Sequence, residues 1–205
     1  MLNYKYLSYF FIIFGALIMA YILNENSIQK INHSKTQLSK NLTKQNNTEN
    51  LIIIGNITGN LPNGWIQEAP KTSMRLAQFK LPSNANQYSD AELSVFNEIG
   101  GSIQENLDRW YNQFEQEDGV SSKQKARVRD FSIGGMDITI TDLKGVFTGG
   151  GMPMSQGIRK KNYRLLAAIV ETSNEIYYFK LTGHEVVISN WAITFGEFIG
   201  NLRQI

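Results

Sequence analysis

The densest chemistry in this 205-residue chain lies in one stretch, GGSIQENLDRWYNQF over residues 100–114. Asn106, Arg109 and Gln113 stand at i, i+3 and i+7, which on a helix makes a polar stripe bordering an apolar arc of Ile103, Leu107, Trp110, Tyr111 and Phe114. A guanidinium flanked by two amides can hold an anion or a peptide carboxylate, so these three are candidate ligand-binding residues. The same groups can instead bond neighbouring backbone, with Arg109 as a structural clamp and Trp110 in the core. A second set, Lys123, Lys125, Arg127 and Arg129, is spaced by two and would share one face of a strand, with Arg159, Lys160 and Lys161 available to extend it. Such a row suits contact with anionic headgroups, or it is simply a solvated strand face.

Catalytic patterns are sparse. His184 is the single histidine after the first fifty residues, so no histidine cluster can bind zinc, and a Ser-His-Asp arrangement would rest on His184 alone. A hydrolase using His184 is the alternative function. The run Gly149-Gly150-Gly151 lacks the Gly-Lys-Ser/Thr that lets a glycine-rich loop hold nucleotide phosphates. No cysteine is present, which excludes disulfides and thiol chemistry. No metal site and no cofactor is expected.

The elements that must carry these residues read as an α+β domain over residues 59–205, enough chain for one core. Strands are expected at 74–81 and 91–96. Two hairpins follow: 125–133 with 136–143 across Gly134-Gly135, and 163–171 with 175–182 across Thr172-Ser173-Asn174. Two hairpins imply a mostly antiparallel sheet. A helix over 102–116 opens with Ser102 and Glu105 as a capping box, and a second spans about 185–203. Both helices should pack on the sheet, giving a layered α/β/α sandwich.

Upstream, the uncharged run Leu7–Leu23 (LSYFFIIFGALIMAYIL) would reach about 26 Å as a helix, near the lower end of what spans a bilayer core. A signal anchor fits it better than a cleaved signal peptide, because the apolar run continues past Ala20 and no Ala-x-Ala follows. Residues 24–58, rich in Asn, Lys and Thr, read as a flexible polar tether with sequons at Asn32, Asn41, Asn46 and Asn56. Lys30, Lys35 and Lys40 behind the anchor oppose an outward domain under the positive-inside rule. The whole chain is +2; Lys5 supplies +1 and residues 24–58 supply +2, leaving −1 for residues 59–205. Nucleic acid is therefore excluded as a partner, since it requires a concentrated basic footprint on the folded part.

The segments PNGW, MRLAQFKLP, AELSVFNEIGGSIQENLDRWYNQF, ITITDLKGVF, YRLLAAIVE and YYFKLTG, in this order, resemble an uncharacterised family of bacterial membrane-anchored proteins and lipoproteins. Its helix pattern G-G-x-x-x-x-N-x-x-R-W-x-x-Q-F is matched by Gly100, Gly101, Asn106, Arg109, Trp110, Gln113 and Phe114. The chain departs from it in lacking a lipobox cysteine and in having His184 where proline usually follows Leu-Thr-Gly. The element order is also similar to the PsbP/Mog1-like sandwich. The resemblance implies export to the periplasm or cell exterior. The expected partners are the membrane, through the apolar run as a single-pass anchor, and an unidentified envelope protein or anionic ligand. It implies no reaction. The function expected is therefore a membrane-tethered binding or assembly module without catalysis.

Overall fold

In a computed structural model, which describes residues 50–149 and 159–205, the chain forms eleven strands and three helices. They run β1 (Leu51–Ile54), β2 (Ile57–Asn60), β3 (Ile66–Glu68), β4 (Arg75–Leu81), β5 (Ala91–Asn97), α1 (Ile103–Tyr111), β6 (Phe114–Glu115), α2 (Ser122–Lys125), β7 (Arg127–Ile133), β8 (Met136–Phe147), β9 (Lys160–Glu171), β10 (Ile176–His184), α3 (Glu185–Gly200) and β11 (Arg203–Gln204). The main sheet is ordered β3-β4-β5-β10-β9-β8-β6, with β7 also pairing β8, and every pairing is antiparallel. A smaller sheet, β1-β2-β11, is antiparallel too. The chain is thus α+β with a mostly antiparallel sheet, as its hairpin signals predict.

The long β9–β10 hairpin sets the layers, because its side chains alternate between two cores. Leu166, Ala168, Val170, Tyr177, Phe179 and Leu181 pack with Phe79, Leu93 and Val95, under Val187, Ile188, Phe195, Phe198 and Ile199 of α3. The small sheet adds Ile52, Ile54 and Ile57 to this core. On the opposite face Leu165, Ala167, Ile169 and Tyr178 meet Leu107, Trp110 and Tyr111 of α1, and Phe114. The α1 helix starts at its capping box: Ser102 Oγ accepts from the Glu105 amide at 3.2 Å and Glu105 Oε2 accepts from the Ser102 amide at 2.7 Å. It ends at Asn112 rather than 116, because the chain turns there to pair β6 with β8.

The tether expected over 24–58 stops earlier than its composition suggests. Leu51–Ile54 and Ile57–Asn60 form a hairpin, with Ile54 opposite Ile57 across a Gly55-Asn56 turn. Gly55 sits at φ +58°, and a Cβ there would lie 2.5 Å from Tyr177 Oη. That hydroxyl accepts from the Asn56 amide at 2.7 Å and donates to Glu175 Oε2 at 2.5 Å, which docks the hairpin on the main sheet. Residues 50–205 accordingly form one compact unit. The anchor, Leu7–Leu23, and the tether up to residue 49 lie outside the described residues. Among the described residues no helix is long and apolar enough to cross a membrane.

A chain beginning at residue 50 is expected to fold cooperatively, whereas one beginning at residue 59 loses three buried isoleucines, at about 2 kcal/mol each on burial bookkeeping. That loss of about 6 kcal/mol compares with a typical total stability of about 5–15 kcal/mol. Denaturant melts of the two truncations measure it, and equal midpoints would show that the hairpin contributes nothing.

Candidate functional site

The two sheet faces are not equally covered. Cross-strand partners share a face, so the register gives a row Glu68, Gln78, Ser94, Lys180, Ala167 and Thr141 running from β3 to β8. At its β8–β9 end the row lies under α1 and is closed by Tyr111, whose hydroxyl bonds Thr141 Oγ1 at 2.8 Å. At its β3–β5 end it is polar. The flanking row, Lys80, Glu92 and Thr182, is polar as well.

Bonds in this polar half are dense. Gln78, almost fully buried, accepts from Arg75 Nη1 at 2.5 Å and from the Lys71 amide at 3.1 Å, and donates to Glu68 Oε2 at 2.9 Å. Arg75 Nη1 also reaches Glu92 Oε1 at 2.9 Å, Lys71 pairs with Glu92 Oε2, and Lys80 lies 3.7 Å from Glu68. Burial alone would raise the Glu92 carboxyl, but hydrogen bonds and charge from Lys71 and Arg75 outweigh it and hold it below its ordinary value.

Lys180 breaks the pattern. Its ammonium, partly buried, donates to Gln113 Oε1 at 2.5 Å and lies 5.9 Å from the Trp110 ring centroid. Among the described residues no carboxylate is within ion-pairing distance of it, although Glu92 is close enough to act on it through space. Desolvation, reinforced by the positive charge of Arg75 and opposed by Glu92, pushes Lys180 down to about 8. A cation facing a neutral amide, with two N–H groups unused among the described residues, can take an anion or act as a weakly basic amine near neutrality.

The residues singled out from sequence separate here. Asn106 is fully buried and structural: its Nδ2 donates to the carbonyls of Gly100 and Ser102, at 3.0 Å each, and lies 3.5 Å from Tyr178 Oη. Arg109 points to solvent and, among the described residues, makes no hydrogen bond or ion pair, so it does not act as the expected clamp. Gln113, nine-tenths buried, alone joins the site.

The row Lys123, Lys125, Arg127 and Arg129 does not share one strand face. Ser121 caps a helical turn, its Oγ accepting from the Gln124 amide at 3.3 Å, and this turn carries Lys123 and Lys125 off the strand that holds Arg127 and Arg129. Lys123 pairs with Asp108 at 3.0 Å, Lys125 with Asp118 at 2.6 Å and Arg127 with Asp142 at 2.7 Å. Arg159 and Lys161 pair likewise with Glu115 and Glu117. His184 is engaged at the start of α3, where Nδ1 accepts from the Val186 amide at 3.4 Å and the ring stacks on Tyr88 at 3.8 Å. Among the described residues no hydroxyl or carboxylate bonds it, so the arrangement a triad needs is missing there.

Two clefts lie away from Lys180. One, of about 320 Å³, is lined by Glu117, Asp118, Lys144, Asn162 and Glu185, whose carboxylates already pair with Lys161, Lys125 and Lys144. The other, of about 450 Å³, lies between Gly100-Gly101 and the 172–175 turn and is lined by Glu98, Glu171 and Glu175. Neither is lined by a histidine that could activate a hydroxyl. Among the described residues no three metal-ligating side chains converge.

No family model matches this chain, and neither does any curated protein. Among solved structures it is similar to cyanobacterial PsbP (CyanoP) from Synechocystis sp. PCC 6803, at 10% identity over 73% of this chain and 87% of that one, TM-score 0.45. It is also similar to PA94 from Pseudomonas aeruginosa, described as a protein of unknown function and putative regulator, at 13% identity over 73% of this chain and 92% of that one, TM-score 0.41.

Because the folded-state value of Lys180 lies below the ordinary 10.5, the unfolded chain holds the extra proton between about 8 and 10.5, and stability from this group rises with pH across that window. Below about 8 the ammonium is charged in both states and its burial cost is fully present. Lys180→Met is therefore expected to stabilise the protein by about 1–2 kcal/mol near neutral pH and to lose that advantage by about pH 10.5, leaving only the lost bond to Gln113. Paired denaturant melts at the two pH values measure it; a difference that does not move with pH would contradict the site electrostatics. Arg109→Ala is expected to fall within about 0.5 kcal/mol of the parent in the same melts.

Proposed function

We propose that this protein is a membrane-tethered binding module, held by Leu7–Leu23, whose domain lies outside the cytoplasm and takes its ligand on the polar half-face around Lys180. One observation carries the reading: the Lys180 ammonium is desolvated yet bonded only to a neutral amide among the described residues. A half-buried cation with no ion-pair partner among the described residues is costly to keep, and its retention makes sense where a ligand supplies the missing charge. Catalysis is not part of the proposal, since His184 is committed to capping α3. The PsbP/Mog1-like description of the sandwich, and membership of the membrane-anchored family with the R-W helix motif, belong to this proposal too. They are supported by helices on both faces of the sheet and by the motif residues Gly100, Gly101, Asn106, Arg109, Trp110, Gln113 and Phe114.

An alkaline phosphatase fused after Ile205 is expected to be active in a bacterial host, and the chain is expected to stay in the membrane pellet after a carbonate wash. An inactive fusion would place the domain inside. Ligand occupancy is read separately, by limited acetylation of intact membranes and mass spectrometry of the Lys180 peptide. Lys180 is expected to be less modified in native membranes than in the purified chain, and equal modification would count against a bound ligand.

A further inference from the structure

The chemistry around Lys180 narrows its ligand further, on the reading that this half-face is a binding site. Lys180 donates to Gln113, so the amide oxygen of Gln113 faces the ammonium and its NH2 group is left for another acceptor. That NH2 makes no hydrogen bond among the described residues. Among the described residues two N–H donors on Lys180 and two on Gln113 are thus left without an acceptor, with the small side chains Ser94 and Ala167 flanking Lys180 in its cross-strand row. The acceptors nearby are already engaged, Gln113 Oε1 by Lys180 and the Glu92 carboxylate by Lys71 and Arg75. Arg75 stands close by but is already committed to Glu92 and Gln78. The nearest fixed charges are therefore Lys180, Arg75 and Glu92, a local excess of one positive charge, to which the exposed Lys71 adds only a solvent-screened contribution.

We infer that the half-face beside α1 binds a carboxylate, with one oxygen on the Lys180 ammonium and the other on the Gln113 amide. A monoanion cancels the local excess, whereas a phosphate dianion would overcharge it and face repulsion from Glu92. A planar two-oxygen group also matches an ammonium and an amide standing side by side. Such a carboxylate belongs either to a small organic acid or to the C-terminus of a peptide.

The experiment uses the full chain in detergent micelles, titrated calorimetrically with benzoate, with a tripeptide bearing a free C-terminus, with the same tripeptide amidated, and with inorganic phosphate. Benzoate or the free tripeptide is expected to bind and the amidated tripeptide is not. Tighter binding of the free tripeptide than of benzoate assigns the source as a peptide terminus, and the reverse assigns a small acid. Lys180→Met is expected to weaken carboxylate binding by about tenfold to a hundredfold, the range for a hydrogen bond to a charged group, while Lys180→Arg retains most of it. Protection of Lys180 from acetylation by the bound probe gives the same answer in the parent chain, independent of how either variant folds. Undiminished carboxylate binding by Lys180→Met overturns the inference, as does equal binding of the free and amidated tripeptides, or absence of binding by both carboxylate probes. If phosphate alone protects Lys180, the carboxylate assignment falls while the binding-module reading stands. If no probe protects Lys180, and Lys180 in native membranes is modified as fast as in the purified chain, both fall.

Discussion

A sheet covered on both faces has nowhere to put a charge except where its cover stops, and the rest of this structure follows from that constraint. The β9–β10 hairpin is buried on both sides over most of its length. Alternate side chains enter one core under α3 and the small sheet, and the others enter the core under α1. The second cover is the smaller one. With nine residues α1 is about 13 Å long and roughly 10 Å across, so at a strand spacing of about 4.8 Å it shields only two or three strands. It shields β8, β9 and part of β10, where Tyr178 meets Trp110 edge to face at 6.2 Å. Past that line the same face turns from Ile169 and Ala167 to Ser94 and Gln78, polar yet still buried, and then to Glu68, and Lys180 marks the change from apolar to polar.

Elsewhere the chain neutralises its charges locally. Arg164 grips Asp142 with two bonds of 2.7 and 3.0 Å beneath α3, and Arg127 reaches the same carboxylate, so Asp142 stays below its ordinary value although burial opposes this. The exposed pairs around β7 and the start of β9 contribute little to stability one by one, since exposed ion pairs are worth about 0–1 kcal/mol. They do remove the field that a basic patch would need. A count of lysines and arginines therefore misdirects attention toward residues 123–129, where three of the four have partners. What distinguishes Lys180 is its surroundings.

Much of the architecture was legible because it rests on local chemistry. The Gly134-Gly135 turn, the capping box at Ser102 and Glu105, and the apolar runs of 163–171 and 176–182 each specify their own conformation within a few residues. Leu51–Ile57 was hidden by its neighbourhood: an Asn- and Thr-rich stretch leads into it, and only the run of isoleucines on both sides of Gly55 signals a hairpin. The site was harder to read for a different reason. Lys180, Ser94 and Gln78 are far apart in the chain and become neighbours only through strand register, which no local pattern encodes. Two hints existed. The strand 74–81 had mixed faces, and Lys180 interrupts an otherwise apolar strand. Gln113 falls on the helix that the sequence pattern predicts, yet it lies in the turn after α1, where its backbone carbonyl also accepts from the Thr148 amide at 2.8 Å.

The identity of residue 113 is the last point on which the electrostatics turn. A carboxylate there would lie within bonding distance of Lys180, return the ammonium toward its ordinary value and relieve the cost of burying it. It would also accept the N–H that Lys180 now gives to the neutral amide. Glutamine has nearly the same shape and makes the same contact without the charge, so the ammonium is oriented but not neutralised. A protein selected for stability alone would gain from the acid at this position, or from an apolar residue at 180. An amide against this ammonium orients it without supplying a charge, so among the described residues the cation stays available to an anion from outside the chain.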